Sequence, residues 1–86
     1  MELVSVVMPC YNDGRYLQEA AASVREQTYP EWELIIVDDG SDDEETIQII
    51  KQMNSEKVKI FHTDRVRPAE ARNYGIRHAH GKYILP

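Results

Sequence analysis

Three short stretches of this sequence carry side chains suited to stacking and to charged hydrogen bonding. Tyr11 follows an apolar run, and a tyrosine ring at such a position can stack on a planar base. Asp38 and Asp39 follow a second apolar run, and their carboxylates can accept a hydrogen bond from a base ring N–H or a ribose hydroxyl. Arg72 offers a guanidinium to a phosphate or a base carbonyl. Together these residues predict a nucleotide site.

Each of these signals also has a simpler explanation. Tyr11 could pack over a neighbouring helix with its hydroxyl in water. Residues 38–41, Asp-Asp-Gly-Ser, form a good turn sequence. Arg72 could pair with Glu70 or Asp64 on the surface. The adjacent acids could bind a metal ion, but neighbouring side chains on a strand point to opposite faces, which makes joint chelation of one ion awkward.

The hydrophobic pattern predicts an alternation of strands and helices that would position these residues. Residues 34–37 are all apolar, which indicates a central parallel strand buried on both faces. The alternation predicts an α/β fold with a parallel sheet, right-handed crossovers and helices on both faces. Ligands bind such sheets at the carboxyl ends of the strands, so the three stretches should converge there. The predicted strands are 3–9, 33–38, 57–63 and 82–85, and the predicted helices are 15–27, a segment following residue 41, and 68–80.

Local signals predict where the helices begin and end. Asn12 or Asp13 could cap the first helix, and Ser41 and Glu44 have the spacing of a capping box for the second. Gly81 is predicted to stop the third helix.

Size and charge limit the classes of function. The chain has 86 residues, enough for one small domain, and 42% of them are apolar. The net charge of −5 argues against sequence-independent binding of nucleic acid. A single cysteine cannot form an internal disulfide, and no apolar run reaches the length of a membrane span. We therefore expect a cytoplasmic domain, although a longer parent protein could be attached to a membrane through other segments.

The remaining reactive side chains predict no second site. Cys10 is expected to be a buried structural residue rather than a catalytic thiol. The three histidines lack zinc-ligand spacing with that cysteine, and the glycine-rich dinucleotide and P-loop patterns are absent from the sequence. Arg65 and Arg67 are expected to form a solvated stretch rather than a phosphate clamp.

Five motifs follow one another along the chain: VSVVMPCYN at 4–12, SVREQTY at 23–29, ELIIVDDGS at 33–41, ARNYG at 71–75 and GKYI at 81–84. Taken in order, they resemble the N-terminal part of a family 2 glycosyltransferase, an inverting group with the GT-A fold. The resemblance covers essentially the whole chain. It implies a three-layer α/β/α, Rossmann-like fold of the nucleotide-diphospho-sugar transferase type with a mainly parallel sheet, of which residues 1–86 would be the N-terminal, nucleotide-binding half.

The resemblance also implies roles for individual residues toward a nucleoside diphosphate sugar, usually a UDP-sugar. Pro9 and Tyr11 would line the base pocket, with the tyrosine stacking on the base. Asp39 would accept a hydrogen bond from the base ring N–H, and Asp38 would support the same loop. Arg72 would approach the base or the diphosphate.

In the family, the last strand continues into an Asp-x-Asp motif that holds Mg²⁺ or Mn²⁺, and a later Asp deprotonates the acceptor hydroxyl. Neither motif occurs in this sequence. The resemblance therefore implies a metal cofactor in the full-length parent, no metal ligand or catalytic residue in this chain, and no glycosyl transfer by this chain alone. The chain departs from the family at residues 65–68, where a glycine is usual and Arg-Val-Arg-Pro stands instead.

Two other functions are compatible with the sequence. The chain could be a non-catalytic nucleotide-binding or interaction module that self-associates through an exposed edge of its sheet. A phosphoacceptor receiver domain would also carry an acidic pair, but it needs that pair after the first strand, together with a further Asp and a Lys that are not evident here.

Overall fold

Seven elements alternate along residues 2–85, the part of the chain that the computed structural model describes. The predicted α/β alternation is confirmed, and each boundary lies within a few residues of its predicted position. The predicted domain limits, residues 1 and 86, lie outside the described residues. The strands are β1 (Val4–Cys10), β2 (Trp32–Asp39), β3 (Val58–Thr63) and β4 (Tyr83–Leu85), and the helices are α1 (Gly14–Glu26), α2 (Glu44–Met53) and α3 (Pro68–Arg77).

The four strands form a parallel sheet in the order β3-β2-β1-β4. The chain moves outward from β1 to β3 and then returns to the other side of β1, so the strand order reverses between β1 and β4. β4 pairs only with residues Val4 to Val6, which leaves the later residues of β1 without a partner on that side within residues 2–85. An open parallel sheet binds ligands beside such a reversal.

β2 is buried on both faces, as its apolar run predicts. Leu34 and Ile36 pack with α1 and α2 on one face, and Ile35 and Val37 pack with α3 on the other; all four are 0% exposed. Burying a side chain of this size contributes about 1.5–3 kcal/mol, so this strand is the main source of the core. The three layers expected for the fold are therefore present.

Three predicted helix ends differ from the structure. Asp13 is the N-cap of α1, but its side chain makes no capping bond. Asp43, rather than Ser41, caps α2: its Oδ2 accepts hydrogen bonds from Thr46 N at 3.0 Å and Thr46 Oγ1 at 2.7 Å, because the helix begins only at Glu44. The predicted capping box is therefore wrong.

The third helix ends before Gly81, so the predicted stop is also wrong. α3 ends at Arg77, with His78 as its C-cap. Gly81 instead allows a close approach to β1: its N–H donates to Ser5 Oγ at 2.8 Å, and a Cβ there would lie 2.5 Å from that oxygen.

A buried carboxylate holds this connection between α3 and β4. Glu33, near the start of β2, is 9% exposed. Its Oε2 accepts hydrogen bonds from Ser5 Oγ and from His80 N, both at 2.6 Å. Burial raises the pKa of Glu33, but the hydrogen bonds from Ser5 and His80 outweigh burial, and the pKa lies below its usual value. A charged group therefore ties the residues after α3 to the sheet.

Gly75 brings α3 close to the sheet. A Cβ at this position would lie 2.5 Å from Val7 Cγ1 and 3.0 Å from Val37 Cγ2, both in the buried core. We expect Gly75→Ala to lower the free energy of unfolding by about 1–3 kcal/mol through overpacking, measured by urea denaturation. Asn73→Ala, at an exposed position of the same helix, is the matched control. Equal stability of the two variants would contradict this account of the contact.

Candidate nucleotide-binding site

The loops that follow β1 and β2 are joined by Asn12. Its backbone N–H donates to Ser41 Oγ at 3.0 Å, and its Oδ1 accepts from the N–H groups of Asp42 and Asp43, both at 2.9 Å. Asn12 has φ 54°, a left-handed conformation that asparagine tolerates better than most residues. From its position in the sequence Asn12 is expected only as a helix cap, because its partners in joining the loops lie about 30 residues away along the chain.

Asp39 anchors the loop that leads into α3. The residue is 3% exposed. Its Oδ1 accepts hydrogen bonds from Thr63 Oγ1 at 2.7 Å and Val66 N at 2.8 Å, and its Oδ2 accepts from Arg67 N at 3.2 Å. Burial raises the pKa of Asp39, but these hydrogen bonds and the nearby charge of Arg65 outweigh burial, and the pKa lies below its usual value. The carboxylate is therefore ionised at neutral pH.

Asp38 faces the opposite side of the sheet from Asp39. Its Oδ1 accepts a hydrogen bond from Ser41 N at 3.0 Å, and its Oδ2 lies 3.2 Å from His62 Nδ1. It thus supports the turn after β2. The two adjacent acids have separate partners, so they do not form a chelating pair.

The residues present do not fit the Mg²⁺ or Mn²⁺ ion that this fold implies. Across residues 2–85, no group of three or more His, Cys, Asp or Glu side chains could hold a metal ion. The carboxylates of Asp38 and Asp39 are engaged by backbone and side-chain donors from separate loops.

Tyr11 and Asp39 are bridged by Arg65. The Arg65 Cζ lies 3.6 Å from the centroid of the Tyr11 ring, and its Nη1 lies 3.9 Å from Asp39 Oδ2. Tyr11 therefore faces the loop before α3, and the residue as a whole is 38% exposed. Arg65 is solvated, as expected, with a side chain that is 56% exposed, but it also contacts two of the predicted site residues, which was not expected. The sequence signal that pointed to an unusual role for this loop was the departure from the family pattern at residues 65–68.

Pro9 and Arg72 line a separate cavity at the edge of β1. The cavity has a volume of about 280 Å³ and lies beside the part of β1 that follows the residues paired with β4. Residues of both α1 and α3 also line it. The Arg72 Nε is buried without a hydrogen-bond partner, and no ion pair of Arg72 occurs among residues 2–85. The alternative pairing with Glu70 or Asp64 is therefore not formed. A buried donor without a partner is costly.

Cys10 is a structural residue, as expected. It is 3% exposed, and its Sγ donates to Asp13 Oδ1 at 3.0 Å. Burial, with the Asp13 hydrogen bond second, raises the pKa of Cys10 to about 12. The thiol therefore stays protonated at neutral pH and is a poor nucleophile.

The parallel sheet in the order β3-β2-β1-β4, with helices on both faces, is a doubly wound α/β arrangement, and the solved structures similar to it are GT-A glycosyltransferases. The chain belongs to the family described as Glycosyl transferase family 2, whose profile matches residues 5–86. The expected family and fold are thus confirmed.

Several characterised and uncharacterised glycosyltransferases are similar to this chain. Glycosyltransferase GlyG of Streptococcus pneumoniae serotype 4 is 42% identical over 85 residues, which are 96% of this chain and 28% of GlyG. The Escherichia coli enzyme WfgD, named UDP-Glc:alpha-D-GlcNAc-diphosphoundecaprenol beta-1,3-glucosyltransferase, is 34% identical over 83 residues, 95% of this chain and 32% of WfgD. The chain spans 12% to 34% of the length of the curated relatives it matches.

A solved structure confirms the fold. The mannosyltransferase PcManGT from Pyrobaculum calidifontis, determined in complex with GDP-Man and Mn²⁺, superposes with a TM-score of 0.84 at 26% identity. The match covers 96% of this chain and 26% of PcManGT. None of the helices between residues 2 and 85 is long and apolar enough to cross a membrane.

The Asp39 anchor predicts how stability depends on pH. Because its pKa in the folded state lies below the unfolded value of about 3.9, its stabilising contribution is complete above about pH 5 and is lost as pH falls through the folded-state pKa. Asp39→Asn replaces one of the two accepting oxygens with an NH₂ group, which cannot accept the hydrogen bond from Arg67 N. We expect it to lower the free energy of unfolding at neutral pH by about 1–3 kcal/mol and to flatten the acid dependence.

Urea denaturation between neutral and acidic pH measures both effects. Asp64→Asn, an exposed acid in the same loop, is the matched control and should leave the stability nearly unchanged. An Asp39→Asn variant with the wild-type acid dependence would refute the anchoring role.

Proposed function

We propose that this chain is the nucleotide-binding half of a family 2 glycosyltransferase domain and binds the nucleoside diphosphate part of a UDP-sugar. The observation that supports this most is that the Tyr11 ring and the Asp39 carboxylate both contact one planar group, the Arg65 guanidinium, at 3.6 Å and 3.9 Å. A flat, polar group of similar width fits between a stacking face and an acceptor. A pyrimidine base is such a group.

The chemistry of Asp39 favours particular bases. An ionised carboxylate only accepts hydrogen bonds, and its Oδ2 receives one hydrogen bond, from Arg67 N. Uracil and guanine each carry a ring N–H on their pairing edge and can donate to this oxygen. Adenine and cytosine carry a ring nitrogen lone pair there, which a carboxylate repels. WfgD is named for UDP-Glc and PcManGT was solved with GDP-Man, so both relatives use bases of the favoured type.

The diphosphate is proposed to bind toward Arg72. Its buried Nε lacks an acceptor, and a phosphate oxygen is the strongest acceptor that a nucleotide offers. Pro9, near the end of β1, lines the same cavity. Arg72 would thus orient the leaving group rather than react with the sugar.

In the whole enzyme, we propose that the acceptor hydroxyl oxygen attacks the anomeric carbon as the bond from that carbon to the diphosphate oxygen breaks. The attack from the opposite side inverts the anomeric configuration, and the hydroxyl proton passes to a general base. No residue in this chain is assigned as that base. We therefore propose that the chain binds the nucleotide but catalyses no transfer by itself.

An NMR titration of the labelled chain with UDP tests the proposed function. We expect shift changes at Tyr11, Asp39 and Val66, with few changes at residues 54–57 at the opposite end of the sheet. Tyr11→Ala should weaken UDP binding about 5- to 150-fold, because base stacking contributes about 1–3 kcal/mol. Tyr83→Ala, which removes an exposed tyrosine from β4, is the matched control.

CDP should bind more weakly than UDP to the wild-type chain, since its base lacks the ring N–H. Equal losses in the two tyrosine variants, or no UDP binding at saturating concentration both by the wild-type chain and by a variant that lacks the Arg65 side chain, would reject the proposed function.

A second candidate function is self-association through β4, with a second copy of this chain as the partner. Tyr83, Ile84 and Leu85 are 55%, 39% and 52% exposed, and no strand among residues 2–85 pairs with the outer edge of β4. Leu85 also borders a mostly apolar cavity of about 410 Å³ with Val4 and Val6. A two-fold pairing of β4 with β4 would satisfy the free backbone groups and cover these side chains.

Sedimentation over a wide concentration range tests this candidate. We expect the wild-type chain to dimerise with increasing concentration and Ile84→Lys to remain monomeric, because a charge on an edge strand opposes pairing. Ile76→Lys changes a comparably exposed isoleucine on α3 and is the control. A wild-type chain that is monomeric throughout would exclude self-association.

A further inference from the structure

We propose that Arg65 is a gate on the base subsite, closed in the nucleotide-free chain and opened by displacement of its side chain. This inference rests on the proposed function, because it concerns the same subsite. It assigns to Arg65 a role opposite to that of a nucleotide contact: the side chain competes with the base for the Tyr11 ring.

The position of the guanidinium is the first argument. Its Cζ lies 3.6 Å from the Tyr11 ring centroid, the separation expected for two stacked planar groups. One of its nitrogens lies 3.9 Å from Asp39 Oδ2. Arg65 therefore occupies both the stacking face and the approach to the acceptor. A base cannot reach Tyr11 and Asp39 from this side while Arg65 remains there.

Gly40 explains why the side chain can take this path. A Cβ on Gly40 would lie 3.0 Å from Arg65 Cγ and 3.3 Å from Arg65 Cδ, so the aliphatic stem runs directly over the glycine. Gly40 also has φ +76°, a conformation that other residues rarely adopt. The turn after β2 thus provides the surface on which the closed side chain lies.

The backbone of the same loop is held in place, which leaves the side chain as the moving part. Arg65 and Arg67 have φ 53° and 103°, and the second value belongs to a region occupied mainly by glycine. The hydrogen bonds from Val66 N and Arg67 N to Asp39 maintain this conformation. The Arg65 side chain, in contrast, is 56% exposed and has solvent to move into.

The contacts that keep the gate closed are weak ones. They are a cation–π contact and a partly exposed ion pair at 3.9 Å. Opening therefore needs no rearrangement of the fold. Because only open molecules bind the base, the apparent affinity equals the intrinsic affinity multiplied by the fraction of open molecules. Removing the guanidinium removes this reduction in apparent affinity.

The direction of the affinity change in Arg65→Ala tests the proposal. We expect this variant to bind UDP, and also uridine without phosphates, about 3- to 10-fold more tightly than the wild-type chain, measured by NMR titration. Arg77→Ala is the matched control, because it removes an arginine whose Cζ lies 5.8 Å from the ring of Tyr74, away from the site. The control corrects for the lost positive charge and should bind uridine as the wild type does.

A second readout follows the gate without relying on affinity. The Arg65 Cδ protons should show upfield ring-current shifts in the nucleotide-free chain, and Tyr11→Ala should abolish them. Saturation with UDP should also abolish them as the guanidinium leaves the ring. Upfield shifts that persist in the saturated complex would overturn the proposal.

The outcomes separate the gate from the proposed function. Weaker or unchanged binding of UDP by Arg65→Ala, with wild-type binding intact, rejects the gate and leaves the nucleotide site. Binding by Arg65→Ala alone supports a gate that is closed most of the time. Absence of binding in both chains rejects the proposed function, and the gate with it.

Discussion

A buried carboxylate at the end of the central strand holds the carboxyl edge of this sheet together. Asp39 receives hydrogen bonds from Thr63, Val66 and Arg67, and these three donors span the whole connection between β3 and α3. A loop with two non-glycine residues at positive φ would not keep its shape without such a fixed acceptor. The same carboxylate is the proposed acceptor for the base, so folding of the loop and recognition of the nucleotide depend on one group.

The fold could be predicted because its main signals are local and periodic. Residues 34–37 are apolar without interruption, and only a strand covered on both faces buries all four. The helix ends were less predictable, since several polar residues compete for each cap. Ser41 had the right spacing, but its hydroxyl accepts a hydrogen bond from Asn12, and Asp43 is the residue that caps α2.

The site was only partly predictable because its contacts join distant parts of the chain. Tyr11 and Asp39 could be proposed from residue type and from their positions after strands. Arg65 could not, since its place over Tyr11 depends on the path of its side chain across Gly40. The unpartnered Nε of Arg72 likewise depends on how α3 packs in the folded chain, which no local pattern reveals.

β2 carries a buried carboxylate near each end, and both act on the segment that contains α3. Asp39 fixes the residues before the helix and Glu33 fixes those after it. The distance from Glu33 to Asp39 along the strand is roughly 20 Å, whereas the 10 residues of α3 span about 15 Å. Insertions or deletions in either segment would detach one of the two anchors. Length variation among related sequences should therefore concentrate in residues 54–57, at the other end of the sheet.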